Sequence, residues 1–258
     1  VFYSAASHYS IKKSLHILRM NGVCVPAQPH GEIDYAALQE AMAEHAGTPA
    51  ICIANIGTTM TEARDNVTNI RQAAAAAGVN DMFIHCDGAL SSIPSALLPE
   101  RHPFDFADGA DSISFSGHKF LGAPFPCGAV IVRKKYKQHI GQAVAYIGTV
   151  DSTITGSRNG HGPLMLWYAI KRWGIEGLRQ RTLQAHQMAA YTEKALQAIN
   201  WECWRNPDAI TVVIKTPPAA VADKWQLATA DGWSHLICMP GMTRTMIDDF
   251  VRDVKAAA

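Results

Sequence analysis

The sequence has no apolar run approaching the roughly 18 residues that a membrane-crossing helix requires, no C-x-x-C pair among its six cysteines, and almost no charge imbalance: 23 Lys and Arg against 22 Asp and Glu in 258 residues, a net charge of +1. The first absence excludes a helical membrane span. The second argues against a zinc ribbon or a disulfide framework, since Cys24, Cys52, Cys86, Cys127, Cys203 and Cys238 are widely scattered; they read as reduced, buried small hydrophobes of a cytosolic protein. The third removes any global electrostatic reason to bind nucleic acid or an anionic membrane surface. What is present is 48% apolar and 17% charged residues, the balance of a soluble globular protein and not of a disordered one. At about 100–200 residues per domain, the length suits one large domain or two smaller ones.

Over the first 135 residues, short apolar runs alternate with amphipathic segments. Val1–Tyr3, Val23–Val25, Ala50–Ala54, Met82–Cys86, Ser112–Phe115 and Gly128–Val132 have strand length and β-branched or aromatic content. Between them, Ile11, Leu15 and Leu18 recur at helical spacing; Tyr35, Leu38 and Met42 follow Asp34 as an N-cap; and Val67, Ile70, Ala74 and Ala77 follow Asp65 and stop at Gly78. This alternation predicts an α/β fold, a mostly parallel sheet with helices on both faces, whose ligands sit beyond the carboxyl ends of the strands. A Gly, Ser and Thr-rich stretch from Gly148 to Gly162 then leads into a long helical run from Pro163 toward Ile199. Strand-like Ile210–Ile214, a helix over Ala219–Leu227, strand-like His235–Met239 and a helix from Thr243 follow. The predicted organisation is a large domain over residues 1–160, a connecting helix over 161–180 and a small α+β domain over 181–258.

Two segments at predicted strand ends carry chemistry: His85-Cys86-Asp87-Gly88-Ala89-Leu90-Ser91 and Ser114-Phe115-Ser116-Gly117-His118-Lys119. Each places a charged side chain just after an apolar strand, so an acid and an amine are predicted to share one crevice. Alone, Asp87 is equally a helix cap or turn residue and Lys119 a surface lysine. Gly117 and Gly122 around Lys119 allow backbone to approach a ligand and the amine to lose solvent, which lowers its pKa and makes it a competent nucleophile. An amine facing a carboxylate is the arrangement pyridoxal phosphate needs: the amine takes the aldehyde and the carboxylate keeps the pyridine nitrogen protonated. His8, at the end of the first strand, is positioned to stack on the ring, or is simply a helix-terminal histidine.

The blocks Ser7-His8-Tyr9-Ser10, Leu18-Arg19-Met20, Gly31-Glu32-Ile33-Asp34-Tyr35, Asn55-Ile56-Gly57-Thr58-Thr59, Asp87-Gly88-Ala89-Leu90-Ser91, Ser116-Gly117-His118-Lys119 and Thr155-Gly156-Ser157-Arg158-Asn159-Gly160 run in order over most of the chain. Together they resemble the group II pyridoxal phosphate-dependent amino-acid decarboxylases, above all the bacterial histidine decarboxylases and their plant serine-decarboxylase-like relatives. The resemblance implies the type I aminotransferase-like fold, a cytoplasmic homodimer with interfacial active sites, and an amino-acid substrate, with histidine preferred and serine the alternative. It implies that Lys119 carries the cofactor, Asp87 pairs with its ring nitrogen, His8 stacks on the ring and touches substrate, and Ala89 supports the opposite ring face. Thr58 would sit near the ring hydroxyl or phosphate, and Ser116 and His118 would help bind phosphate; ordinary loop capping is the alternative for Thr58 and Ser116. Arg158 would grip a substrate carboxylate or a phosphate, or stand as a solvated loop arginine.

The family's Gly-Thr-Glu-Gly-type phosphate loop has no match here, and the chain opens on Val1-Phe2-Tyr3-Ser4 with no initiator Met, no basic n-region and no apolar h-region. A chain cut in mid-domain is therefore expected, either part of an enzyme or an inactive remnant. Gly88 stands where relatives often carry alanine, and Tyr146 is a candidate for the acid that returns a proton to substrate, against core packing or surface placement. A zinc hydrolase using His85, Asp87 and His118 is a competing reading, but no H-E-x-x-H or related metal spacing accompanies those residues.

Overall fold

The structure is a computed structural model that describes residues 1–138 and 140–257. Its first half is built on a six-stranded sheet in the order β2-β1-β3-β4-β5-β6, from β1 (Phe2–Ser4), β2 (Val23–Val25), β3 (Ala50–Asn55), β4 (Met82–Asp87), β5 (Ser112–Ser116) and β6 (Gly128–Val132). The first five run parallel and only β6 is antiparallel, against β5. Each apolar run predicted in the first 135 residues is a strand, with ends shifted by a residue at most.

One face of the sheet is closed by α2 (Tyr35–Ala43) and α3 (Val67–Ala76), whose Leu38, Met42, Val67 and Ile70 pack with Phe2, Val25, Cys52, Ile84 and Cys86 in one core. Strand period 2 sends Met82, Ile84 and Cys86 of β4 into that core. Phe83, His85 and Asp87 consequently lie on the opposite face, where the site is. On that side lie α4 (Ser92–Leu97) and α6 (His161–Gln197), around a second core of Phe120, Leu121, Leu178, Ala185 and Ile210. Short α1 (Ser10–Leu18) and α5 (Lys134–Lys137) complete this half, with a hairpin of β7 (Gln142–Val144) and β8 (Thr149–Asp151) after it.

Three expectations change at the level of local structure. Asp65 does not cap α3: Asn66 does, its side chain accepting from Asn69 N–H at 3.1 Å, while Asp65 turns inward. The Ile11, Leu15, Leu18 repeat does form α1, yet no residue of that helix is buried. Cys24 is exposed, whereas Cys52, Cys86 and Cys238 are buried; all six cysteines are free thiols.

The long run after Gly162 is one helical stretch broken at Gly174, whose φ of 57° and ψ of −175° only glycine adopts easily. Beyond the break α6 packs on an antiparallel sheet of order β11-β12-β10-β9, formed by β9 (Cys203–Trp204), β10 (Thr211–Lys215), β11 (Thr229–Ala230) and β12 (Trp233–Ile237). With α8 (Arg244–Ala257) it encloses a third core containing Leu196, Val212, Ile214, Phe250 and Val254, to which α7 (Ala219–Lys224) adds Val221. No helix among the described residues is long and apolar enough to cross a membrane.

Candidate active site

In the large sheet the chain runs from β1 to β2 on one side and then returns to β3 on the other, so the connections diverge between β1 and β3. A crevice opens at the carboxyl ends of strands where this happens, the usual ligand position in an open α/β sheet. The strand register sets Asn55, Asp87 and Ser114 level: Asn55 pairs with Asp87 and Asp87 with Ser114, so β3 and β4 finish side by side and β5 runs two residues further, to Ser116. A cavity of about 470 Å³ lies there, within the range of small-molecule sites. His8, Thr58, Asp87, Ala89, Ser116, His118 and Lys119, all selected from the sequence, line it. Among the described residues, Asp87 and Lys119 are its only acidic and basic side chains apart from the two histidines.

Lys119 is held by its neighbours. Phe120 and Leu121 are buried in the second core and anchor the turn from below. Gly117 N–H donates to Cys127 C=O at 2.7 Å, Ala123 N–H to Gly117 C=O at 2.9 Å and Gly122 N–H to Lys119 C=O at 2.9 Å. A Cβ on Gly117 would stand 2.3 Å from Leu166 of α6, so glycine there lets the turn close against the helix. Lys119 itself stays half-buried at the cavity wall.

Asp87 accepts from Ala89 N–H at 3.3 Å, and Ala89 C=O accepts from Ser116 N–H at 3.0 Å, tying the β4 and β5 ends together. A Cβ on Gly88 would fall 2.3 Å from Ser92 Cβ; the glycine and Ser92 fit as a pair, so alanine at 88 alone would force α4 away. Behind Asp87 on the same face, His85 Nδ1 lies 2.7 Å from Ser112 Oγ and Nε2 lies 3.2 Å from Ser114 Oγ. Burial lowers the His85 pKa, with the Asp87 charge pulling the other way. Both ring nitrogens of His85 thus face serine hydroxyls, and among the described residues no group of three His, Cys, Asp or Glu is placed to hold a metal.

His8 Nδ1 lies 2.7 Å from Ser10 Oγ and accepts from Ser10 N–H at 3.3 Å, which leaves Nε2 to carry the proton of the neutral ring. Tyr9 lies against it, ring centroids 4.2 Å apart. Thr58 Oγ1 accepts from Ala63 N–H at 3.0 Å and meets Thr61 Oγ1 at 2.9 Å, so its hydroxyl closes the 58–63 turn at the cavity edge. His118 is exposed, its Nδ1 3.2 Å from Cys127 N and 3.1 Å from Cys127 O.

Arg158 does not line the cavity. Its Nη1 donates to Thr153 Oγ1 at 2.6 Å and Thr155 C=O at 2.8 Å and lies 3.9 Å from Asp151, because its own loop offers the nearest acceptors. Tyr146 is almost wholly exposed on the turn between β7 and β8, so it is not packed in the core.

Asn55 and Ser114 also line the cavity and were not singled out from the sequence, although both sit where a strand-terminal polar residue was the signal used for Asp87. Asn55 is aimed by Asp65, whose buried carboxylate accepts from Asn55 N–H (2.6 Å), Asn55 Nδ2 (2.9 Å) and Ile33 N–H (2.8 Å). Burial pushes the Asp65 carboxyl up to about 6 against the pull of those donors, so at neutral pH the bonds are made to an anion.

Residues 1–212 match the family model described as the pyridoxal-dependent decarboxylase conserved domain. The chain is 42% identical over 253 residues to the histidine decarboxylase of Mesorhizobium japonicum, covering 98% of this chain and 68% of that one. It is 40% identical over 261 residues to that of Pseudomonas fluorescens, of which it spans 64%. Among solved structures, L-methionine decarboxylase of Streptomyces sp. 590 superposes with a TM-score of 0.89 at 25% identity, over all of this chain and 69% of the other. A cavity with one amine, one carboxylate and a rim of hydroxyl and imidazole groups fits pyridoxal phosphate. The chain belongs to the pyridoxal-dependent decarboxylase family, and its cofactor is pyridoxal 5'-phosphate.

Proposed function

We propose that the cavity decarboxylates L-histidine to histamine and carbon dioxide. The observation that carries this reading is the meeting of Lys119 and Asp87 in one cavity at the carboxyl edge of the sheet, in a chain about 40% identical to several histidine decarboxylases. When bound, the cofactor supplies an aldehyde that captures the substrate amine and a protonated pyridine ring that takes up the electron pair left as carbon dioxide departs.

Each residue then has a role that its surroundings support. Lys119 would hold the cofactor through its amine and, once displaced by substrate, remain at the wall as a proton carrier; its anchored turn limits how far that amine can wander. Asp87, fixed at the β4 end, would hold a proton on the ring nitrogen. His8 would lie over one ring face and touch substrate, with Ala89 under the other, where a larger side chain would collide. Ser116, His118 and the 58–63 turn would bind the ring hydroxyl and phosphate. Since Arg158 folds over its own loop, a role in gripping the substrate carboxylate would be exerted on the active site of a second copy. The same reading takes residues 1–160 as the cofactor domain, 161–180 as connecting helix and 181–258 as the small domain.

A homodimer is supported by apolar side chains that the single chain leaves uncovered, among them Leu18, Val130, Leu164, Trp167 and Tyr168. A cytoplasmic location is supported by the free thiols, which persist where the environment is reducing.

Supplying the protein with pyridoxal phosphate and either histidine or serine, and measuring the amine formed, tests the substrate. Histamine from histidine is expected; ethanolamine formed from serine with no histamine would overturn the assignment.

A further inference from the structure

Glu62 lies outside the cavity, yet it is fully buried and takes a left-handed backbone, φ 54°, that few non-glycine residues adopt. Its carboxylate receives donors from separate parts of the chain. Oε1 accepts from Ser91 Oγ at 2.9 Å and from Arg64 Nη2 at 3.2 Å; Oε2 accepts from Ile210 N–H at 2.9 Å. Ser91 stands two residues past Ala89 and opens α4, and it packs so closely on Gly57 that a Cβ there would lie 2.3 Å from Ser91 Oγ. Ile210 leads into β10, and Arg64 reaches the same segment through the carbonyl of Asp208. Beside them, Asn206 Nδ2 bridges the carbonyls of His30 and Thr61, each at 2.9 Å.

Three pieces of backbone therefore meet at one carboxylate: the loop after β3 that carries Gly57 and Thr58, the turn that follows Asp87 at the end of β4 and carries Ala89, and the entry to the C-terminal sheet. We propose that Glu62 is a positioning residue, which sets the spacing of the two cavity loops and locks it to the docking of the C-terminal sheet. This rests on the reading of the cavity as the cofactor site. The chemistry needs a carboxylate. Glutamine offers one acceptor oxygen and an amide that itself donates, so at least one of the three donors would be left buried without a partner. A left-handed residue here aims the side chain back between the two loops, and the carboxylate's three bonds hold that conformation in place.

The test pairs Glu62→Gln with Ser91→Ala, using hydrogen exchange on the cofactor-free protein and titration with pyridoxal phosphate followed by visible absorbance. In Glu62→Gln, exchange should rise together in residues 57–63, 88–92 and 208–212, and cofactor affinity should fall about tenfold, as expected for one orphaned buried donor. Ser91→Ala should speed exchange in 57–63 and 88–92 and weaken the cofactor less. The double variant should be no weaker than Glu62→Gln alone, because Ser91 acts through Glu62. Faster exchange in 208–212 alone with unchanged cofactor affinity would overturn the proposal, as would additive losses in the double variant. Should Glu62→Gln fail to fold, Ser91→Ala decides: unchanged exchange and affinity would refute the role. If the parent protein takes up no pyridoxal phosphate, the proposed function falls, while the exchange measurements still decide whether the three segments move as one.

Discussion

The two halves of α6 are both rich in apolar residues but differ in what covers them. Before Gly174, the helix exposes Leu164, Trp167, Tyr168 and Ile170, with only Gly162 buried; after it, Leu178, Thr182, Ala185, Ala189, Thr192 and Leu196 are buried against the second core and the C-terminal sheet. The second half is stabilised by its own chain. Exposed apolar side chains recur on α1 and β6, where Ile17, Leu18, Val130 and Ile131 are all more than half exposed. Helical periodicity is the same for both kinds of face; it says that a side chain wants cover and not which molecule provides it.

Breaking the comparison on the covered half should have the largest effect. Leu196→Ala, in the core with Ile214 and Phe250, is expected to cost about 2–5 kcal/mol through lost burial and a residual cavity, measured by urea unfolding. Next comes the boundary itself. Nothing lies within 4 Å of a Cβ placed on Gly174, so Gly174→Ala should cost about 1–3 kcal/mol from backbone strain alone. No loss would mean that the break relaxes into a continuous helix, visible as a rise in helical circular dichroism.

The covered half should also respond to pH. Burial, aided by Arg64 and Arg205, holds the His186 pKa down at about 4. The unfolded chain, with histidine near 6.5, takes the proton first, so this group's contribution is full above about 6.5 and is lost as pH falls toward 4. Asp65, raised to about 6, works in the opposite direction: below about 6 the folded state binds its proton first and gains. Thermal melts of the parent and His186→Gln across this window should diverge, the variant losing less stability on acidification. Parallel curves would show that His186 is charged in the fold. The smallest effect on chain stability is expected on the open half, where Trp167→Ser should change unfolding by less than about 0.5 kcal/mol while weakening self-association measured by sedimentation. Unchanged self-association would detach Trp167 and the exposed half of α6 from the proposed dimer.

Much of this was legible in the residues. Strand runs bounded by turn residues gave the sheet, and charged residues immediately after such runs pointed to Asp87 and Lys119. The rest depended on three-dimensional neighbours. Asp65 has the sequence context of a helix cap, yet donors from Ile33 and Asn55 draw it inward and leave the cap to Asn66. Arg158 has the charge to bind a carboxylate, but acceptors two to five residues away capture it first. Two-residue strands such as Cys203–Trp204 and Thr229–Ala230 carry too little pattern to recognise and exist because β10 and β12 offer open edges. Glu62 gave no local signal, since its partners lie 2, 29 and 148 positions away.

Borohydride reduction of the protein loaded with pyridoxal phosphate, followed by peptide mapping, addresses the shared cavity most directly. The stable cofactor adduct should lie on Lys119, and Lys119→Ala should show neither adduct nor carbon dioxide release while melting like its parent. An adduct on another lysine, or a Lys119→Ala protein that still decarboxylates histidine, would contradict the assignment.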